Sequence, residues 1–227
     1  MPSLELLDPR RHAQLRLRPR GKEFPHFVQI VASEFGSAAA YCPILFTKEM
    51  ATGSFYAGAV LGFKEGENLV GGPEEQGGFH PLMLQREGFF ISEQHIAIDR
   101  AHDRFSENEG DPLFDDAQQP GNALRAIQRT LGEIHRGLEL TNAFIAALAE
   151  NKLIEPIDIS LSFDGGERLS LQGLYTVSID RLRDVDDATA LRLFRAGHLQ
   201  LAHTMAMSLR QIPRLARLRN QRGRQAG

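Results

Sequence analysis

Pro120–Leu171 reads PGNALRAIQRTLGEIHRGLELTNAFIAALAENKLIEPIDISLSFDGGERLSL, and its hydrophobic period changes once along the way. Leu124, Ile127, Leu131, Ile134, Leu138, Ile145 and Leu148 recur at spacings of three and four, with Thr141 in the one polar slot. That spacing puts them on one face of a helix. Pro120 suits its first turn, Asn151 is a stop signal and Pro156 forbids continuation, so the helix would be about 45 Å long. After Pro156 the period drops to two. Ile157, Ile159, Leu161 and Phe163 alternate with Asp158, Ser160 and Ser162, and Asp164-Gly165-Gly166 turns the chain toward Leu169 and Leu171. This is the pattern of a half-buried hairpin. A long amphipathic helix feeding an antiparallel hairpin marks the chain as α+β.

Outward from this stretch, Phe24–Phe35 is apolar at both parities and reads as a strand buried on both faces. Ile44–Phe46 and Phe55–Phe63 read as strands joined by a turn at Thr52-Gly53, with Pro43 opening the first. His80–Arg86 reads as a short helix, followed by strands at Phe89–Ile91 and Ile96–Ile98. Leu174–Val177 is expected to add a further strand. Asp186 is placed to cap a helix running to Ala196 and ended by Gly197 in a left-handed conformation. A last helix begins near His198, kinks at Pro213 and frays into a polar tail. The expected architecture is one α+β domain over 1–227. Its mixed or antiparallel sheet packs against the long helix and a C-terminal helical segment, with a basic N-terminal arm (1–22) and a basic C-terminal tail (213–227).

Composition narrows the class. The chain has 227 residues, 42% hydrophobic and 24% charged, with a formal net charge of -3. This is ordinary for a globular protein and argues against a general nucleic-acid binder. Cys42 is alone, which excludes an intrachain disulfide. No apolar run approaches the roughly 20 residues that cross a bilayer, and the N-terminal stretch lacks a secretory pattern. The expected location is the cytoplasm, with neither a membrane nor a nucleic acid as partner.

Several chemistries have no support in the sequence. Residues 64–78 are glycine-rich but match no phosphate-binding motif, and Glu65, Glu67, Glu74 and Glu75 would repel an anion. Cys42 has no basic neighbour in sequence to activate it, and a serine-hydrolase elbow is absent. No cofactor is expected. Among the histidines near acids (His80, His95 and His102, beside Asp99 and Asp103), His95, His102 and Asp99 are the metal-ligand combination to weigh for the alternative function, a small-ligand-binding or metal-assisted enzyme with a pocket near residues 95–114. The chain has neither HExxH nor His-x-Asp.

Charge is clustered. Arginines crowd both ends, and carboxylates crowd the segment from Asp99 to Asp116. The reading that follows is electrostatic docking, within the chain or onto a protein partner, through Asp99, Glu107, Glu109 and Asp111 and through Arg210, Arg214 and Arg217. Such contacts weaken with salt over about 8–10 Å. The long helical seam adds a homodimer to the candidate partners.

An ordered series of short pieces carries a family resemblance. They are ASEF at Ala32–Phe35, PILF at Pro43–Phe46, LGF at Leu61–Phe63 and GENL at Gly66–Leu69. ID at Ile98–Asp99, SENEG at Ser106–Gly110, LFD at Leu113–Asp115, GLY at Gly173–Tyr175 and SLRQIPRLARL at Ser208–Leu218 follow. With them the chain resembles the bacterial SapC family from about Leu6 to Leu218. The resemblance implies a link to a bacterial surface-array locus and carries no catalytic set. His95 and His102 fall outside its pieces. The expected function is that of a non-catalytic accessory or interaction protein, linked to bacterial cell-surface or uptake machinery.

Overall fold

The computed structural model describes residues 4–21, 25–71 and 78–225. In chain order the strands are β1 Leu4–Leu6, β2 Arg16–Leu17, β3 Phe27–Gln29, β4 Ile44–Lys48, β5 Phe55–Val60, β6 Phe89–Ser92, β7 His95–Asp99, β8 Phe105–Ser106, β9 Asp111–Pro112, β10 Ile154–Ser162 and β11 Arg168–Val177. The helices are α1 Phe35–Ala39, α2 Leu82–Gln85, α3 Asn122–Glu150, α4 Ile179–Arg183, α5 Asp187–Arg195, α6 His198–Ser208 and α7 Gln211–Gln225. All strand pairs described are antiparallel. The fold is α+β, with one long helix and a C-terminal helical segment, as the period change indicated.

Packing sorts the chain into two compact units, each made of two separated stretches: 1–22 with 82–136, and 23–81 with 137–227. In the first unit, β1-β7-β6 and β8-β2-β9 form two small sheets. Leu15, Leu17, Phe89, Ile98, Phe105, Leu113 and Phe114 form its core together with Leu124, Ile127 and Leu131 from the first half of α3. Residues 4–21, expected as a basic arm, are therefore structural: Leu15 and His12 are buried. The ring of His12 accepts the Asp8 N–H at Nδ1 (3.0 Å) and places Nε2 3.2 Å from Glu5 Oε1.

In the second unit, β10-β11-β4-β5-β3 form a five-stranded sheet. Phe144 of α3 is fully buried, 6.0 Å from the rings of both Phe35 and Phe46. Ser208, also fully buried, accepts the Ile44 N–H at 2.8 Å and donates to Met205 O at 2.6 Å, pinning α6 to β4.

Four further expectations change. The strand expected over Phe24–Phe35 is β3 alone, with Phe24 outside the described residues. Beyond it the chain turns at Val31 into a short 3-10 turn and α1. The Glu34 carboxylate accepts the Val31 N–H at 3.0 Å and the Thr141 hydroxyl accepts the Ala32 N–H at 2.8 Å, which satisfies donors that a helix start leaves open. Leu174–Val177 is the continuation of β11, carried past a register shift opposite Ile157–Ile159, where Gly173 takes a left-handed φ of 73°. Pro120 precedes α3 in a bridge with Phe114. The tail is helical to Gln225, and Pro213 sits in the first turn of α7, where its missing N–H costs nothing. Of the glycine-rich loop, 72–77 lie outside the described residues.

Candidate functional site

Strand β2 is the scaffold of the acidic loop. It pairs with β8 on one side (Arg16 with Ser106, Leu17 with Phe105) and with β9 on the other (Arg16 with Pro112, Leu17 with Asp111). The SENEG segment, Ser106–Gly110, is the connection that crosses from one edge of β2 to the other. Leu15 and Leu17 point into the core at period two. Arg16 and Arg18 are left on the opposite face to hold the loop. Arg16 donates to Gly110 O at 2.9 Å. Arg18 donates to Asp103 O and Ser106 Oγ, both at 3.3 Å.

Ser106 shapes the turn: its buried hydroxyl accepts the N–H groups of Asn108 and Glu109, each at 3.1 Å. Gly110 has a left-handed φ of 98°, and a Cβ there would stand 2.3 Å from Leu17 O. No other residue type fits.

With the backbone held inward, the carboxylates face solvent. Glu107 is 65% exposed and pairs with Arg100 at 2.7 Å; Glu109 is 72% exposed and pairs with Arg18 at 3.0 Å. Asp111 is exposed. Asp99 stands apart in role. At the end of β7 it is half-buried, and its carboxylate accepts the Ala101 N–H at 3.3 Å in a local turn. Arg104, just before β8, is buried and donates to Gln85 O at 2.7 Å, and burial pushes its pKa down.

The metal-site combination is not assembled. His95 is exposed at the start of β7, and His102 Nδ1 lies 2.9 Å from Asp103 and 3.3 Å from the Arg104 N–H. Among the described residues, no group of three histidines, cysteines and carboxylates is placed to hold an ion. Cys42 is fully buried and donates to Ala38 O at 3.3 Å; burial pushes its thiol pKa up to about 12.

The basic tail divides. Arg214 is partly buried and donates to Tyr41 O at 3.0 Å, a structural role, whereas Arg210 and Arg217 are exposed. The following arginines fasten α7 to its own unit, around a cavity of about 670 Å³. Arg219 stacks 4.2 Å over Phe163 and pairs with Glu67 at 3.2 Å and Glu167 at 3.1 Å. Arg224 pairs with Asp164, and Arg222 donates to Asn68 O. No local pattern marks the role of Arg100, and Arg219 stands in the sequence only as one arginine of the basic tail. Arg16 and Arg18 belong to the expected basic arm, although their alternation with Leu15 and Leu17 is the signal of a strand.

No helix among the described residues is long and apolar enough to cross a membrane. A family model described as SapC matches residues 7–215. Neither the curated proteins nor the solved structures contain a match.

Proposed function

From the premise that this chain belongs to the SapC family, we propose that it is a non-catalytic interaction protein that docks a basic protein surface through its acidic loop. One observation carries the reading: the SENEG backbone is locked by Ser106, Arg16 and Gly110 while Glu107 and Glu109 stay largely exposed. A loop already in its bound shape loses little entropy on docking, and its charges steer the encounter. The intramolecular pairs do not remove this capacity. Exposed ion pairs contribute only about 0–1 kcal/mol, so a partner's cations can share or replace Arg18 and Arg100.

Arg210 and Arg217 are proposed as a separate contact from the tail. The compartment proposed is the bacterial cytoplasm, where a lone buried thiol suits reducing conditions. The partner proposed is a component of bacterial cell-surface or uptake machinery.

The test is a photo-crosslinking amino acid at Asn108 in the native host. A discrete adduct is expected that disappears in the Glu107→Gln, Glu109→Gln, Asp111→Asn variant and weakens as salt is raised. An adduct that persists in that variant, or none at all, removes the reading.

A further inference from the structure

Helix α5 turns two large apolar side chains outward. Its buried face is formed by Thr189 and Leu193. At about 100° per residue the opposite face carries Asp187, Leu191 and Phe194, with Arg195 beside them. Leu191 is 47% exposed and Phe194 is 68% exposed. Single exposed apolar residues are common. Here, however, a leucine and a phenylalanine one turn apart share the centre of the face most remote from the core.

The charges around that pair are symmetric. Asp187 lies four residues before Leu191 and Arg195 four residues after it. At 1.5 Å per residue each stands about 6 Å from Leu191 along the axis. Within one chain the two are about 12 Å apart, too far to pair, since helix side chains meet at spacings of three and four. Both are exposed, and neither has an ion pair among the described residues. A face with an acid at one end, a base at the other and apolar groups between them is complementary to its own antiparallel copy.

We propose that the outer face of α5 is a homodimer contact. Two copies pair antiparallel about a two-fold axis beside Leu191, with Asp187 of each copy against Arg195 of the other and Phe194 covered between the helices. A short helix buries little area, at the low end of specific interfaces, so the dimer is weak and concentration-dependent. This surface is distinct from the acidic loop, and its failure would leave the loop reading intact.

Sedimentation equilibrium across a concentration series tests it, with circular dichroism confirming that each variant folds. Phe194→Ser is expected to raise the dissociation constant at least tenfold. Asp187→Arg and Arg195→Asp, each alone, are expected to do the same by facing like charges. The double reversal, Asp187→Arg with Arg195→Asp, is expected to restore the dimer because the two-fold axis exchanges both partners at once. A wild-type chain that stays monomeric at about 1 mM, the weakest affinity worth calling association, overturns the proposal. So does a dimer that ignores Phe194→Ser, or a double reversal that fails to recover it. If one of the charge variants fails to fold, Phe194→Ser and Leu191→Gln, both at exposed positions, still decide it.

Discussion

Gly137 leaves the space that Val31 fills: a Cβ at Gly137 would stand 2.5 Å from Val31 Cγ2 and 2.7 Å from its Cβ. Alanine in a helix interior normally gains about 1 kcal/mol over glycine. Here collision with a buried β-branched side chain outweighs that gain, because Val31 is fully buried and has nowhere to move. Gly137→Ala is expected to destabilise the protein by about 1–3 kcal/mol in urea unfolding. Val31→Ala alone costs a similar amount by leaving a cavity. The double variant should cost less than the sum of the two by more than about 0.5 kcal/mol, the signature of direct contact.

The same contact shows how far the sequence could be read. The long helix was legible because its period is local, and so was the hairpin, whose turn is marked by Asp164-Gly165-Gly166. The helix capped by Asp186 was legible too, and the structure has its carboxylate accepting the Thr189 N–H at 2.9 Å. What was illegible depends on partners far along the chain. Thr141 looked like a flaw in an apolar seam. Its hydroxyl in fact accepts the N–H of Ala32, 109 residues away, and helps turn an apolar run into a helix start. At the acidic loop the carboxylates were visible as composition, but their holders were not. Arg18 acquires that role only when β2 is inserted between β8 and β9, and Arg100 acquires it by pairing with Glu107 across the turn that follows β7.

Gly110 is expected to be intolerant of any side chain. Its left-handed φ strains an L residue, and the Leu17 carbonyl stands where a Cβ would go. Gly110→Ala should cost about 2–4 kcal/mol. Gly165→Ala is the control. It has nothing within 4 Å of a built Cβ, so its effect should stay within about 0.5 kcal/mol. Equal losses at the two positions would show that the Leu17 contact is not what fixes the loop.

Cys42 should be chemically silent in the folded chain. The thiolate is the reactive form, and burial pushes this thiol up to about 12. Ellman's reagent at pH 8 is expected to find no thiol in the native protein and one after unfolding. Because the folded pKa is raised, the stability it contributes is complete below the ordinary thiol value. That contribution is lost progressively as pH rises from about 9 toward 12.

His198 works in the opposite sense. Its ring lies 5.7 Å from that of Phe144, and desolvation lowers its pKa. A depressed histidine favours the unfolded state once protons are available. Its contribution is therefore present above the ordinary value of 6.5 and lost as pH falls below it. His198→Gln should flatten the fall in thermal midpoint between pH 7 and pH 5 relative to the unaltered chain. Identical pH profiles would rule this histidine out as a source of acid sensitivity.

Arg219 should decide whether the end of α7 stays docked. Its side chain is only 11% exposed, stacked on Phe163 and shared between Glu67 and Glu167. The stack over Phe163, with Nε turned to Glu67 and a terminal N–H to Glu167, is a set of contacts that a single ammonium cannot reproduce. Arg219→Lys is thus expected to behave more like Arg219→Ala than like the native residue, with a loss of about 1–2 kcal/mol, between the exposed and the fully buried cases. Hydrogen exchange gives the sharper reading. Amides from Arg219 to Arg224 should exchange faster in both variants, while those near Leu215, which is fully buried, keep their protection. High salt should reproduce part of the effect in the native chain by screening Arg224 and Asp164, the more exposed pair. If Arg219→Lys protected the terminal turns as well as arginine does, charge alone would be holding the helix and the Phe163 stack would contribute nothing.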